Sequence, residues 1–509
     1  MGTLNLLALD YGASNGRGIV GQFDGNRVAL HEVHRFENNY HDVRGVLYWD
    51  ILRLYEHAKR ALGMAGKKGF ALDAFGIDTW GVDYGLLDRN GMLLSEMISY
   101  RNAKEEDMAP LWERMGRREL FDRTGVAHLC FNTVYQLDKR RAMGDVALEQ
   151  ARTLLFLPDL IAYFLTGEKA SEYTFATTSM LYDPLKKGWS NEIFEKLGIP
   201  KDIFTRVEYP GRLRGSLLSA VAKELEMGPV PFAVVGEHDT ASAVAAIPGS
   251  GDFAFCSSGT WSLFGVETVE PVLTDDVYAS NFSNEGTVQG GYRPLKNIMG
   301  LWIIQECRRE WAKEGNRLSW DAIVHAAEQA LPFQSLIDPD DAPFFKAGGM
   351  VQKIREYCGR TGQRVPQSVG EVARCVYESL ALKYRWTIER LEKIKGERVE
   401  ALNIVGGGIQ NTLLNQMVSN SIGRPVITGP VEGAAMGNIL MQAVALGELS
   451  GIEDVRAVVK NSVETGEYLP KEQEEWREAY HRLEALMEDE YDRHGDMGKD
   501  GRAECEQTA

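Results

Sequence analysis

The chain writes one short pattern twice: an apolar strand, a tip of small residues, and a second strand running back. LLALD (6–10) leads into YGASNGR (11–17), and GIVGQF (18–23) returns toward an Asp24-Gly25-Asn26 turn before VALHEVHRF (28–36). Later, FAFCS (253–257) leads into SGT (258–260), and WSLFGVE (261–267) returns. Asp-Gly between alternating apolar runs is a strong hairpin signal. A tip of small residues also lets successive backbone N–H groups converge on an anion. The repetition predicts a duplicated architecture, two α/β domains that each open on such a hairpin. Two hairpins of this kind suit the gripping of one polyphosphate.

The rest of the chain alternates in keeping with that expectation. WDILRLYEHAKRALGMAG (49–66), GDVALEQARTLLFLPDLIAYFLTG (144–167), VARCVYESLALKYRWTIERLEKIKG (372–396) and AAMGNILMQAVALG (434–447) carry apolar residues every three to four positions and read as helices. AFGIDTW (74–80), VPFAVVGEHD (230–239) and VEALNIVGGG (399–408) are short continuous apolar runs of the kind parallel strands use. The Pro and Gly of IPGSGD (247–252) suit a hinge. The expected boundaries are therefore 1–246 and 247–470, with a helix and tail over 471–509. From Pro470 onward there are 13 acidic and 6 basic residues, a solvated composition.

Composition narrows the partners. With 73 acidic against 56 basic side chains the formal charge is −17, and no segment is strongly basic. Nucleic acid and anionic membrane surfaces are poor partners for such a chain. The most apolar stretch, LLFLPDLIAYFL (154–165), is broken by Pro158 and Asp159 and is too short to span a bilayer. Six thinly spread cysteines without a Cys-x-x-Cys pair fit a reduced, cytoplasmic protein. Cys358 and Cys375 are spaced to meet across two helices. An anionic ligand would need a local device to hold it.

Several motifs offer one. Gly16, Gly18 and Gly21 spell G-x-G-x-x-G, but a dinucleotide fingerprint needs a helix to open there. Strand and turn follow instead, so hydride transfer is the weaker reading, and no P-loop sequence exists. Arg17, past the first tip, adds a planar charged donor. Asp10, at the end of the first strand, is placed to orient a magnesium ion through water. GGGIQN (406–411) lets a flat ligand such as adenine approach the backbone closely. In HDTASAV (238–244), Asp239 ends a strand where α/β sheets gather ligands, although an Asp there also serves as a helix cap. DTWGVD (78–83) and SYRN (99–102) bring Asp78, Trp80, Asp83 and Arg101, a mixture that grips polyhydroxy compounds.

Taken in order, these runs resemble the FGGY family of carbohydrate kinases. The resemblance covers nearly the whole chain to about residue 447, through DYGASNGR, HRFENN, IDTWGVD, YRN, FNTVYQL, LPDLIAYFLTG, EYTFATT, HDTASAV, SSGTWSLFG, NEGT, LKNIMGLWIIQE, ARCVYESLALKY and IVGGGIQNTLLNQ. It implies two ribonuclease-H-like domains of the actin and hexokinase type with an interdomain cleft, the first domain sugar-binding and the second ATP-binding. It implies transfer of the ATP γ-phosphoryl to O1 of a ketose, with Mg2+; the branch-specific runs DTWGVD and KNIMGLW point to L-rhamnulose, and L-fuculose or a related ketose is the alternative. Asp239 would be the general base, and Gly81, His238, Thr240 and Asn297 would join it in holding the sugar. Ala13, Ser14, Asn15, Gly16, Arg17, Thr260, Gln305 and Gly407 would hold ATP. Asn15 stands where the family usually has Ser, which leaves its backbone role intact. Trp80, Asp83 and Arg101 are further sugar contacts on this reading. The expected assembly is a monomer or homodimer. A non-metabolic ATPase of the same superfamily, chaperone-like or filament-forming, is the rival, distinguished by sugar-independent hydrolysis.

Overall fold

A computed structural model describes residues 2–249, 251, 253–471 and 473–494, with residues 488–494 by their backbone alone. Its chain packs into two compact units that interleave in sequence. One comprises Met1–Gly251, Gly265–Lys296 and Gly429–Thr465; the other comprises Asp252–Phe264, Asn297–Thr428 and Gly466–Ala509. The first passage from one unit to the other falls between Gly251 and Asp252, within the 247–252 stretch, but the chain afterwards returns to the first unit twice; Ser250 and Asp252 lie outside the described residues. The tail beyond residue 494 lies outside them too, whereas Gln473–His494 is the expected acidic helix.

The first unit is built on a six-stranded sheet in the order Arg212–Ser216, Pro231–Val234, Ala74–Thr79, Leu4–Tyr11, Asn15–Phe23, Val28–Glu37. The hairpin strands Leu4–Tyr11 and Asn15–Phe23 are antiparallel, and Ala74–Thr79 then runs parallel to the first of them. Alternation along Leu4–Tyr11 sends its side chains to opposite faces. Leu7 and Leu9 meet Leu54, Ala58 and Leu62 of the helix Ile51–Lys67 together with Leu160 and Ile161 of the helix Leu157–Thr166. Leu6 and Ala8 meet Ala241 of the helix Asp239–Ala245, Ile439 and Leu440 of the helix Gly433–Ala445, and Val455 of the helix Ile452–Ser462. One face of the first sheet is thus covered in part by two helices drawn from the far end of the chain.

The second unit repeats the motif. Its hairpin Phe253–Ser258 and Trp261–Gly265 is followed by parallel strands Ala401–Val405 and Val426–Thr428, with Glu467–Tyr468 antiparallel at the edge. The helix Val369–Lys395 packs on Trp320–Gln329, Thr412–Ile422 and Gln473–His494. Its ends follow sequence chemistry: Ser368 and Glu371 form a capping box, and Gly396 closes it in the left-handed conformation.

One expected helix is corrected. Over 144–167 only Val146–Gln150 and Leu157–Thr166 are helical, and Thr153–Phe156 between them is a strand pairing with Tyr84–Leu87. Pro158 sits in the first turn of the second helix, where its missing N–H costs nothing, so it marks a start rather than an interruption. No helix among the described residues is long and apolar enough to cross a membrane.

Candidate functional site

In the first unit the expected residues converge on the ends of the central strands. Strand register sets Asp10 opposite Arg17 on one side and Asp78 on the other. The tip is closed by the Gly12 N–H donating to the Asn15 carbonyl at 2.9 Å. Asn38 clamps it from outside: its N–H donates to the Ser14 carbonyl at 3.0 Å, and its side-chain amide to the Gly12 carbonyl at 3.1 Å. Ala13 and Ser14 thus lie in one tight turn, and Asn15, Gly16 and Arg17 open the strand that returns from it. Sequence reasoning missed Asn38, whose only local signal was its place in HRFENN.

Arg17 is already partnered. One guanidinium nitrogen reaches Asp10 Oδ2 at 3.1 Å, and another pairs with Glu432, the residue preceding the helix Gly433–Ala445. Burial raises the Asp10 carboxyl, against the lowering effect of Arg17. Asp78, expected among sugar contacts, is instead fully buried and accepts from Asn438 Nδ2 at 2.6 Å, while Gln442 donates to Asn438 at 2.8 Å. Burial, then the neighbouring Asp10, lift it well above the usual carboxylate range, and its Oδ1 has no hydrogen-bond partner.

DTWGVD is similarly turned inward at its far end. Asp83 is buried and accepts from the indole N–H groups of Trp49 and Trp80 at 2.6 and 2.7 Å, and from the Tyr100 backbone at 2.9 Å. Burial pushes it up to about 7 against those three donors. Asp83 therefore holds an aromatic wall. Arg101 is exposed and lies over the rings of Tyr100 and Tyr40.

The strand Pro231–Val234 leads to Glu237, His238 and Asp239. The Thr79 N–H donates to the Glu237 carbonyl at 2.9 Å, which ties this exit to that of Ala74–Thr79. Below it sits a buried charge cluster: Arg214 is bound to Asp159 at 2.7 Å, Glu208 at 2.8 Å and Glu237 at 3.3 Å. His238 precedes the helix, and Asp239 is its first residue rather than its cap. Thr240 Oγ1 donates to Asp239 at 3.2 Å. The Asp239 side chain remains 32% exposed, so it is a carboxylate of this group that a ligand can reach. Surrounding protein, then the negative Asp10, raise it to about 7. Gly81 lies against His238: a methyl on it would sit 3.1 Å from Nε2.

The remaining expected residues belong to the second unit. Its tip is closed by the Gly259 N–H donating to the Trp261 carbonyl at 2.8 Å, and the Trp302 N–H donates to the Thr260 carbonyl at 3.1 Å. Thr260 Oγ1 meets Gln305 Oε1 at 3.4 Å. Gly407 opens the short turn after Ala401–Val405, and the preceding Gly406, at φ +88°, runs against the Ser258 backbone. Thr260, Gln305 and the glycine turn are thus neighbours of one hairpin. Asn297 lies half-buried in the strand Tyr292–Met299.

Comparison with known proteins fits this geometry. Residues 5–246 match the N-terminal domain, and 254–446 the C-terminal domain, of the FGGY family of carbohydrate kinases. A rhamnulokinase of Bacteroides thetaiotaomicron is 41% identical over 94% of this chain and 98% of its own length. One of Halalkalibacterium halodurans is 37% identical over 92% and 99%. Among solved structures, a gluconate kinase from Lactobacillus acidophilus superposes with TM-score 0.79 at 16% identity, over 97% of this chain and 98% of that one. Plasmodium falciparum glycerol kinase with ADP gives 0.74 at 13%, over 96% and 98%. Those likenesses carry the two-domain, actin- and hexokinase-type α/β fold.

Proposed function

This chain belongs to the FGGY family of carbohydrate kinases, and from that premise we propose that it transfers the γ-phosphoryl of ATP to O1 of L-rhamnulose, giving L-rhamnulose 1-phosphate and ADP. The observation that carries the reading is Asp239, a reachable carboxylate at a strand exit, in a chain alike over nearly its full length to rhamnulokinases. Asp239 accepts the proton of the sugar 1-hydroxyl as that oxygen bonds to the γ-phosphorus and the bond from phosphorus to the β-bridging oxygen breaks. Gly81, His238, Thr240 and Asn297 hold the sugar. The two hairpin tips offer backbone N–H groups to the phosphates, with Thr260, Gln305 and Gly407 completing the nucleotide contacts.

Magnesium fits the acidic residues present. It keeps most of its waters and needs one or two carboxylates, and Asp10, at the strand exit and near enough for its negative charge to raise Asp239, would supply one. Among the described residues no group of three or more His, Cys, Asp or Glu forms a dedicated cage. When bound, the ion supplies charge neutralisation on the phosphates. Arg17 shares its charge with Asp10 and Glu432, which aims its guanidinium along the tip.

Phosphoryl transfer depends mostly on alignment and charge, so the base contributes a limited share. General bases typically supply about 10² to 10⁴-fold; Asp239→Asn should lose roughly that in turnover while ATP binding persists. A coupled ADP-release assay over L-rhamnulose, L-fuculose, L-ribulose and D-xylulose checks both points. Preference for L-fuculose, or near-normal turnover of the variant, would overturn the corresponding assignment.

A further inference from the structure

The His238 imidazole beside Asp239 has a buried guanidinium within reach of its Nδ1. Arg293, on the strand Tyr292–Met299, is fully buried. Its Nη2 lies 3.4 Å from His238 Nδ1, and its Nε donates to the Gly286 carbonyl at 2.8 Å, which fixes the fork. A guanidinium has five donors and no acceptor. A hydrogen bond between these two nitrogens therefore requires His238 Nδ1 to offer its lone pair. In a neutral imidazole the proton then resides on Nε2.

The surroundings keep the ring neutral. Burial, and then the Arg293 charge, push the His238 imidazole down to about 3. Glu285 balances the arginine, with its Oε2 3.3 Å from Arg293 Nη2 and 3.5 Å from His238 Nδ1. The backbone is tied down as well, since the His238 N–H donates to Thr174 Oγ1 at 3.3 Å. On its other edge Nε2 stands 3.7 Å from Asp239 Oδ1 and against Gly81.

We propose that the buried Arg293–Glu285 pair fixes His238 as its Nε2–H tautomer, making Arg293 the positioning residue that turns this imidazole into a hydrogen-bond donor toward an oxygen of the ketose. The inference rests on the reading that His238 meets the sugar. Asp239, an acceptor when ionised, and His238, a donor, then present opposite polarities side by side. A hydroxyl losing its proton to Asp239 and a neighbouring oxygen accepting from His238 would be selected together. A site built on such a donor discriminates strongly against an analogue lacking its partner oxygen.

The direct test is long-range proton–nitrogen correlation NMR on the full chain carrying 15N-histidine, with His238 assigned by its disappearance in His238→Gln. A neutral ring protonated on Nε2 at neutral pH is expected; protonation on Nδ1, or a charged ring, would overturn the proposal. This readout needs no turnover, so a failure of the kinase reading leaves it interpretable. Kinetics supply the second arm. Arg293→Met paired with Glu285→Gln, which removes both buried charges, should raise KM for the ketose by about 5- to 150-fold, the scale of an unmade buried hydrogen bond, with KM for ATP unchanged. Arg293→Lys, which retains a donor, should recover most of that loss and the Nε2–H spectrum. Equal damage to both substrates, or no rescue by lysine, would show a merely structural role and refute positioning.

Discussion

Asp239 is where burial and chemistry meet most directly. Its carboxyl is raised from 3.8 to about 7, by burial first and Asp10 second. A base must be ionised to accept a proton, so kcat/KM for the ketose should fall as pH drops through about 7 and level off above it. Asp239→Asn should flatten that limb. The same shift makes a separate statement about stability. A carboxyl whose folded value lies above its unfolded one contributes stability that is complete below pH ~4 and lost as pH rises through about 7. Asp239→Asn, which cannot ionise, should therefore melt higher relative to the parent at pH 8 than at pH 5. Calorimetry at the two pH values checks it, and an unchanged difference would mean that the carboxyl is not raised.

At the scale of elements, the helix carrying Asp239 is positioned by a contact between two backbones. A Cβ on Gly437 would overlap the carbonyl of Ser242, so the helices Asp239–Ala245 and Gly433–Ala445 touch where only glycine fits. Gly437→Ala should cost about 1–3 kcal/mol, as overpacking does, and lower turnover by displacing Asp239. Gly63→Ala is the control, because its Cβ would meet Leu225 at an ordinary 3.6 Å; it should be neutral or stabilise by up to about 1 kcal/mol. Urea midpoints at constant slope decide between them, and equal effects would refute the close-contact argument. How far the sequence disclosed these elements followed the range of the forces involved. Both hairpins were legible because turn chemistry is local, and Gly433–Ala445 was legible as a helix by its period. Its destination was not, although Asn438 and Gln442, polar residues four apart in an apolar run, signalled a buried polar partner that proved to include Asp78. Asp78 and Asp83 looked like ligand-gripping carboxylates because composition does not reveal which way a strand end faces. Arg293 gave no local sign, since it stands 55 positions from His238 and the two meet only once the chain has folded.

At the scale of the molecule, sequence halves and compact units differ. The matches to the two family domains end at residue 246 and begin at 254, yet the first unit also takes Gly265–Lys296 and Gly429–Thr465. Residues 1–246 produced alone would leave Leu6, Ala8, Ile19 and Val235 without the helices Gly433–Ala445 and Ile452–Ser462, which supply much of their cover. That fragment should bind a hydrophobic dye and unfold in urea without a cooperative transition, whereas the full chain should show one. A sharp transition in the fragment would contradict the packing. The helix Gly433–Ala445 also has a consequence in time. Translation proceeds at about 5–20 residues per second, so this helix leaves the ribosome roughly ten to forty seconds after the sheet it must cover. During that interval the nascent chain carries an open apolar face, the kind of surface that makes a partly folded chain prone to aggregate, so synthesis itself is the exposed stage in this fold's life.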